Sequence, residues 1–200
     1  MSASPHDWDS SYTGQGPAPW DIGRPQAPFV ALADRGQLTG DLLDAGCGTG
    51  EHALLAAASG AHAWGVDLSG TAIGIATQKA ADRGLVATFR ADDILRIALP
   101  KDGFDVVVDS GLFHVFTDDE RMRYTTVLAN LLRPTGSLYL MCFSDRQPGD
   151  WGPRRVTQDE IRNTFADGWS IESIEPATFE INPVFGSTTV AAWLATIRRV

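Results

Sequence analysis

Residues 41–50, DLLDAGCGTG, place an acid and closely spaced glycines directly after a short apolar run. Glycine weakens the interior of a strand or helix, so Gly46, Gly48 and Gly50 indicate unusual backbone dihedral angles or close approach to a ligand. The dinucleotide fingerprint is G-x-G-x-x-G, whereas these glycines are spaced G-x-G-x-G, and no Lys-Ser/Thr pair of a P-loop follows. The run predicts a dinucleotide site, a site for a cofactor without phosphate, or simply a tight strand-to-helix turn.

Further acids follow the next two predicted strands. Asp67 can accept hydrogen bonds from both hydroxyls of a ribose, or it can cap the following helix beside Ser69. Asp92 and Asp93 are both placed to accept from an adenine amino group, and we favour Asp93 because it precedes the apolar Ile94. Because no basic residue accompanies these acids, they suit a ligand with a ribose, an amine and a positive centre better than a pyrophosphate.

The elements that must position these acids alternate along the chain. We predict strands at 42–44, 61–67, 86–90, 104–109 and 137–143, and helices at 25–34, 51–59, 70–83, 117–131 and 157–165. Two final strands, 170–174 and 190–197, follow without a helix between them, and an extra strand near Phe179 is an option. This order predicts an α/β, Rossmann-like, doubly wound sheet of about seven strands, mostly parallel with an antiparallel C-terminal edge. Ligands of such sheets bind at the carboxyl ends of the strands.

The chain of 200 residues is expected to form a single domain. Within it we distinguish an N-terminal cover arm and helix (1–36), a cofactor-binding core (41–143), a substrate lid (144–156) and a C-terminal helix with strands (157–200). The first 20 residues are irregular but rich in aromatic side chains, so we expect them to pack on the body of the protein.

Composition limits the partners. The chain has 16 Lys and Arg residues against 25 Asp and Glu residues, a formal net charge of −9, which disfavours nucleic acid and anionic membranes. Its 2 cysteines fit a reducing cytoplasm, and the N-terminus lacks a secretory pattern, so we expect a cytoplasmic protein. No pair of residues has metal-ligand spacing, and we predict no metal.

The series DAGCGTG, GVDLS, ADDI and FDVVVDS resembles class I S-adenosylmethionine-dependent methyltransferases in order and spacing. Three further segments, PWDIGRPQAPF (19–29), DSGLFHVFTDDER (109–121) and CFSD…GPRRVT (142–157), are similar to the small-molecule branch of that family. This branch includes thiopurine, halide/thiol and heterocyclic-toxin methyltransferases, which implies a detoxifying reaction on a small-molecule acceptor.

The resemblance implies that S-adenosyl-L-methionine is the cofactor and S-adenosyl-L-homocysteine the product. Asp44 and the Gly46 carbonyl would lie by the methionine amino group, Asp67 by the ribose, and Asp93 with Ile94 by the adenine. The full set of implied cofactor-binding residues is Trp20, Asp44, Gly46, Cys47, Gly48, Gly50, Asp67, Leu68, Asp93, Ile94 and Ser110.

The segment DSGLFHVF (109–116) is expected to face both ligands. Phe113 and Phe116 offer flat apolar walls, and His114 is the candidate catalytic residue, either as a proton acceptor or as a buried structural histidine. The lid adds Trp151 as an aromatic surface and Arg154, or Arg155, to balance negative charge on the acceptor or to pair with surface acids.

The N-terminal segment is expected to close the site. Tyr12 and Arg24 are assigned to the acceptor side, while Trp20 closes over the cofactor, or else these aromatic residues only fasten the arm.

Two other functions stay open from the sequence. A nicotinamide-dependent oxidoreductase would use the glycine run, and a regulatory module would bind the cofactor without turnover. The leading prediction is methyl transfer to O, N or S of a small, aromatic heterocyclic acceptor by in-line displacement. The oligomeric state is not indicated.

Overall fold

We describe the protein from a computed structural model, which describes residues 7–14, 16–184 and 186–200. Residues 1–6 and Gln15 of the predicted cover arm lie outside the described residues. The helices are α1 Ser10–Thr13, α2 Ala27–Asp34, α3 Glu51–Ala58, α4 Gly70–Asp82, α5 Asp118–Leu131 and α6 Gln158–Thr164, and a 3₁₀ turn covers Phe113–Val115. The strands are β1 Asp41–Ala45, β2 His62–Asp67, β3 Ala87–Ala91, β4 Phe104–Ser110, β5 Leu132–Phe143, β6 Trp169–Val184 and β7 Ser187–Arg199.

The seven strands form one sheet in the order β3-β2-β1-β4-β5-β7-β6. The pairs from β3 to β5 are parallel, while β7 runs antiparallel to both β5 and β6. This confirms the predicted α/β sheet and its antiparallel C-terminal edge. The extra strand considered near Phe179 is a continuation of β6, which runs to Val184 through two register shifts.

Helices cover both faces of the sheet. One buried apolar cluster joins Leu43 and Val107 to Leu128 of α5 and Ile161 of α6, and the other joins the sheet to Phe29 of α2 and small alanines of α3. Because both faces are covered, the central strand β4 reads as a nearly continuous apolar run, FDVVVDS. Because β1 and β4 are buried, they hold the polar residues at their C-terminal ends at the same edge of the sheet.

Local signals set the helix starts that frame the site. Thr117 and Glu120 form the predicted capping box of α5, and Thr157 and Glu160 form that of α6. Ser69 caps α4 by accepting from the Ala72 backbone N–H at 3.0 Å. These caps start each helix just after a loop at the carboxyl edge of the sheet.

The edge strand β6 is partly covered by the segment 18–26. Asn182 N–H donates to the Pro19 carbonyl at 2.8 Å, and its side-chain amide donates to the carbonyls of Ala18 and Asp21. Gln26 exchanges two further hydrogen bonds with the backbone of Glu180. The N-terminal segment is therefore fastened to this strand. No helix among the described residues is long and apolar enough to cross a membrane.

Candidate active site

The carboxyl ends of β1, β2 and β4 bring three acids together. Asp44 is fully buried, and its Oδ2 accepts from the Ala53 backbone N–H at 3.1 Å. Burial, with smaller contributions from the nearby charges of Asp67 and Asp109, raises the pKa of Asp44 to about 8. Among the residues that the structure describes, its Oδ1 is buried with no hydrogen-bond partner. A buried carboxylate oxygen without a donor is costly, so this atom fits a ligand that brings a cationic amine.

The glycine run forms a loop in which Gly46, Gly48 and Gly50 are in the left-handed region. A Cβ at Gly50 would lie 2.8 Å from the Ala76 Cβ, and one at Gly48 would lie 2.9 Å from the Tyr12 hydroxyl. Gly48 has φ of 50° and Gly50 has φ of 84°, so both positions need glycine. Cys47 is buried beneath this loop, and burial holds the pKa of its thiol well above the usual range.

Asp67 lies beside the loop at the end of β2. Its two oxygens accept from the backbone N–H groups of Gly48 at 2.8 Å and Ser69 at 2.9 Å. Burial raises its pKa, and the backbone N–H groups of Ser69, Gly48 and Leu68 oppose that shift. Each oxygen retains a lone pair for a ribose hydroxyl. The next residue, Leu68, is 56% exposed, which leaves an apolar surface available to a ligand.

The acids after β3 differ in their partners. Asp92 pairs with Arg90 at 2.6 Å and accepts from the Asp93 backbone N–H. Asp93 accepts from Leu95 N–H at 2.9 Å and has only an exposed Arg96 guanidinium 3.4 Å from its second oxygen. The geometry thus favours Asp93 for an incoming donor. Ile94 is buried in the core cluster.

The described part of the cover arm, residues 7–14 and 16–20, lies on the glycine loop. The Tyr12 hydroxyl accepts from Trp20 Nε1 at 3.0 Å, and burial raises the pKa of this phenol. Asp9 binds the start of α4 by accepting from the Ser69 hydroxyl at 2.7 Å and from the Thr71 N–H at 2.9 Å. Tyr12 was predicted on the acceptor side, but the structure places it against Gly48, on the cofactor side.

The turn after β4 is organised by Asp109. This buried carboxylate accepts from Leu112 N–H at 2.8 Å, from Phe113 N–H at 3.2 Å and from the Tyr124 hydroxyl at 3.0 Å. Burial raises its pKa to about 6, against the effect of these donors. The half-buried Ser110 ends the strand just before this turn.

The turn is also where the two halves of the site meet. A Cβ at Gly46 would lie 3.0 Å from the Leu112 Cβ, while one at Gly111 would lie 3.5 Å from His114 Nε2. The cofactor half comprises Asp44, the glycine loop, Asp67 and Asp93. Residues 111–112 join it directly to the surroundings of His114.

His114 is 7% exposed and lies against the end of β5. Its Nδ1 accepts from the Phe143 backbone N–H at 3.0 Å. Burial, together with the positive charges of Arg121 and Arg155, lowers the pKa of His114 to about 3. The ring is therefore neutral, and its occupied Nδ1 does not favour the expected role as a proton acceptor.

Aromatic side chains surround His114. Its ring centroid is 4.8 Å from that of Phe143 and 6.1 Å from that of Phe179, and Phe143 also lies 6.5 Å from Trp151. We define the candidate acceptor half as His114, Phe143, Phe179, Trp151 and Gly111. Trp151 was predicted for this side, whereas Phe143 and Phe179 were missed.

The two predicted phenylalanine walls lie elsewhere. Phe113 is fully buried, with its ring 5.9 Å from Phe165 and the Arg121 guanidinium 4.4 Å from its centroid. Phe116 packs on Tyr124 at 5.1 Å. Both side chains face α5 and α6 because the 3₁₀ turn directs only His114 of FHVF towards β5 and β6.

The predicted arginines are held in ion pairs. Arg24 binds Glu180 at 3.0 Å, and Arg154 binds Asp118 at 2.6 Å and also Glu160. The structure does not bring either to the acceptor half.

Arg155 instead reaches the lid and the aromatic rings. Its guanidinium donates to the backbone carbonyls of Pro153 and Trp151 at 2.7 Å, and it lies 5.5 Å from the Phe143 ring centroid. It thus fastens the loop 144–156, which was predicted to be a lid, and lies with its positive charge beside the acceptor half.

Comparison with known proteins identifies the family. A relative in Mycobacteroides abscessus, a 2-heptyl-1-hydroxyquinolin-4(1H)-one methyltransferase, is 35% identical over 185 residues, covering 88% of this chain and 81% of that protein. Residues 42–136 match the family described as Methyltransferase domain. The chain is a class I S-adenosylmethionine-dependent methyltransferase. It belongs to the small-molecule branch.

Solved structures agree with this assignment. A structure from work on the conversion of a disulfide bond into a thioacetal group during echinomycin biosynthesis has a TM-score of 0.85 and 39% identity to the methyltransferase, covering 96% of this chain and 89% of that one. Magnesium protoporphyrin IX methyltransferase from Synechocystis PCC 6803 with bound S-adenosylmethionine shares the fold, with a TM-score of 0.67 at 23% identity over 87% and 77% of the two chains. The cofactor of the methyltransferase is thus S-adenosylmethionine, and the nicotinamide-dependent and non-catalytic alternatives are set aside.

Proposed function

We propose that this methyltransferase transfers a methyl group to an O, N or S atom of a small, aromatic heterocyclic acceptor. The observation that carries the proposal is the acceptor half, where the rings of Phe143, Phe179 and Trp151 surround His114 beside the glycine loop. Flat apolar walls with few polar groups suit a planar heterocycle. The hydroxyquinolone substrate named for the Mycobacteroides relative belongs to this chemical class.

The cofactor half fits S-adenosylmethionine on its donor and acceptor pattern. Asp44 Oδ1 would accept from the amino group, Asp67 from the ribose hydroxyls, and Asp93 from the adenine amine beside the exposed Leu68. The cofactor supplies an electrophilic methyl group bound to a positively charged sulfur. Because carboxylates rather than cations line this half, their charge favours binding of that species.

The remaining work of the chain is positioning and exclusion of water. Catalysis of a displacement requires chiefly that the nucleophile be held about 3–3.5 Å from the reacting carbon and in line with the leaving group. Tyr12 and Trp20 would cover the cofactor half, and the lid loop with Trp151 would cover the acceptor. Methylation of this kind would mask the reactive hydroxyl, nitrogen or thiol of a toxic heterocycle.

A sulfur acceptor is the second candidate. The structural relative at 39% identity comes from work on a reaction at a disulfide, which places sulfur chemistry on a closely similar fold. The same aromatic half would hold an aryl thiol, because neutral sulfur makes favourable contacts with aromatic rings.

The test is incubation with cofactor carrying a labelled methyl group and a panel of 1-hydroxyquinolin-4-ones, phenols, N-heterocycles and aryl thiols. We expect labelled product from at least one planar aromatic acceptor, and little from aliphatic alcohols or thiols of similar pKa. Phe179→Ala should lower this aromatic preference. Labelled product only from aliphatic acceptors, or from none of the panel, would contradict the proposal.

A further inference from the structure

His114 presents only one ring nitrogen to the acceptor half. A backbone N–H can only donate, so the 3.0 Å contact from Phe143 N–H requires a lone pair on Nδ1 of His114. In a neutral imidazole the proton then resides on the other nitrogen. His114 Nε2 is consequently an N–H donor, with no lone pair to take a proton.

This donor lies beside the turn where the two halves of the site meet. Nε2 lies near Gly111, where a Cβ would be 3.5 Å from it and 3.4 Å from the Phe179 ring. Within residues 7–14, 16–184 and 186–200, Nε2 has no hydrogen-bond partner. Nε2 is also not among the fully buried atoms that lack a partner, so part of its surface is accessible to a ligand.

Of the two cations near His114, Arg121 is paired with Glu160 at 3.3 Å, whereas Arg155 donates to backbone carbonyls. Arg121 from α5 and Arg155 from the lid both oppose its protonation. The acids on neighbouring elements are engaged elsewhere: Asp109 of β4 with the 112–113 backbone and Tyr124, and Glu180 of β6 with Arg24. In the part of the chain that the structure describes, Arg155 forms no ion pair with a carboxylate and donates to backbone carbonyls instead. The field at Nε2 therefore favours an anion.

We propose that His114 donates a hydrogen bond from Nε2 to an anionic oxygen or sulfur of the methyl acceptor, and thereby selects acceptors that ionise before they bind. The proposal rests on the proposed function. The acceptor loses its proton to water. Its electron pair then forms the bond to the methyl carbon while the pair of the breaking carbon–sulfur bond stays on sulfur. No proton passes to His114.

Two variants separate this donor role from a structural one. In His114→Asn the side-chain oxygen can still accept from Phe143 N–H, but no group remains at the Nε2 position. In His114→Gln the longer amide can place an N–H donor there. We expect Asn to lower kcat/KM for an ionised 1-hydroxyquinolin-4-one about 10- to 100-fold, the value of a hydrogen bond to a charged group, and Gln to restore most of it. Full activity of the Asn variant would overturn the proposal.

The pH profile of the wild-type enzyme separates a donor from a base. With acceptors of different pKa, we expect log kcat/KM to rise by one per pH unit up to the pKa of each acceptor. A neutral histidine acting as base would instead give a plateau below that pKa. A common plateau for all acceptors contradicts the donor role.

A third measurement does not require turnover. Nitrogen NMR of labelled wild-type protein, with His114→Asn for assignment, should show the Nε2–H tautomer of His114 unchanged between pH 5 and 9. A proton on Nδ1, or titration in that range, would contradict the inference. If this tautomer is found but no aromatic acceptor is methylated, the proposed function fails while the donor chemistry of His114 stands.

Discussion

The cofactor half and the acceptor half differ in both charge and origin. The cofactor half consists of carboxylates and backbone turns that follow β1, β2 and β3, within one continuous stretch of the chain. The acceptor half takes a histidine from a 3₁₀ turn, one phenylalanine from the end of β5, another from β6 and a tryptophan from the lid. One half suits a cationic ligand and the other a planar, electron-rich ligand. Residues 111–112 hold the two against each other.

The largest effect is expected at Asp67. Asp67→Ala removes both oxygens that would hold the ribose and also releases the N–H groups of Gly48 and Ser69. We expect the dissociation constant for S-adenosylhomocysteine to rise about 100-fold or more, as measured by calorimetry. Asp92→Asn, which breaks only the pair with Arg90, is the matched control and should change it little. Equal losses in the two variants would count against the ribose role of Asp67.

Asp44 should make cofactor binding depend on pH. Because its pKa in the free protein is about 8, the carboxyl is mostly protonated at pH 6, and it must lose that proton to accept from a cationic amine. We expect cofactor affinity to rise by up to about tenfold per pH unit between pH 6 and 7.5 in the wild type, and to be flat in Asp44→Asn. Calorimetry in buffers of different ionisation enthalpy would show the released proton. If affinity depended on pH equally in the wild type and in Asp44→Asn, Asp44 would not contact the cofactor.

The carboxyl group of Asp44 also makes the stability of the folded protein depend on pH. Between its unfolded pKa near 4 and its folded pKa of about 8, the folded free protein holds a proton on Asp44 that the unfolded chain has lost. Asp44 therefore lowers the free energy of unfolding as pH rises through this window. In thermal melts across this pH range, the melting temperature of Asp44→Asn should therefore fall less with rising pH than that of the wild type.

A smaller effect separates the two sets of phenylalanines. Phe179→Ala opens the wall beside His114, so we expect the KM of an aromatic acceptor to rise about 5- to 10-fold at unchanged cofactor affinity. Phe116→Ala removes packing on Tyr124 and should lower the melting temperature with less than a twofold change in KM. A larger rise in KM for Phe116→Ala than for Phe179→Ala would indicate that Phe116, not Phe179, contacts the acceptor.

The smallest effect is expected at Arg154. Its pairs with Asp118 and Glu160 are exposed and screened by solvent, so Arg154→Ala should change turnover less than twofold. Arg155→Ala, which releases the lid carbonyls, should raise acceptor KM more. Steady-state kinetics with one acceptor compares the two, and a larger loss at Arg154 would show that it contacts the acceptor.

The sequence predicted the strands and turns that bring the cofactor half together, because their signals are local. Glycines that need positive φ, an acid at the end of a buried strand and a capping residue such as Ser69 act over a few positions. Their meeting in space follows from the parallel strand order alone. The predicted sheet, with its antiparallel edge, was confirmed because the signals for its strands and turns are also local. The assignments of individual cofactor contacts remain predictions.

The acceptor half was harder to predict because it depends on the sheet's far edge. The ring centroids of Phe143 and Phe179 are 5.6 Å apart because β5 and β6 both pair with β7, and β6 continues past a register shift between Ile171 and Ser173. The 3₁₀ turn directs His114 one way and Phe113 the other, which apolar periodicity cannot show. The tautomer of His114 could not be predicted from the sequence either, because it depends on the backbone N–H of Phe143 in β5.

The attachment of segment 18–26 to β6 has a consequence beyond the site. An outer strand normally offers unpaired amide groups to any passing chain. Here the segment 18–26 forms hydrogen bonds with Asn182 and Glu180 of β6. These bonds reduce the part of the edge strand with which another chain could pair. Deleting those residues would therefore threaten solubility as well as catalysis.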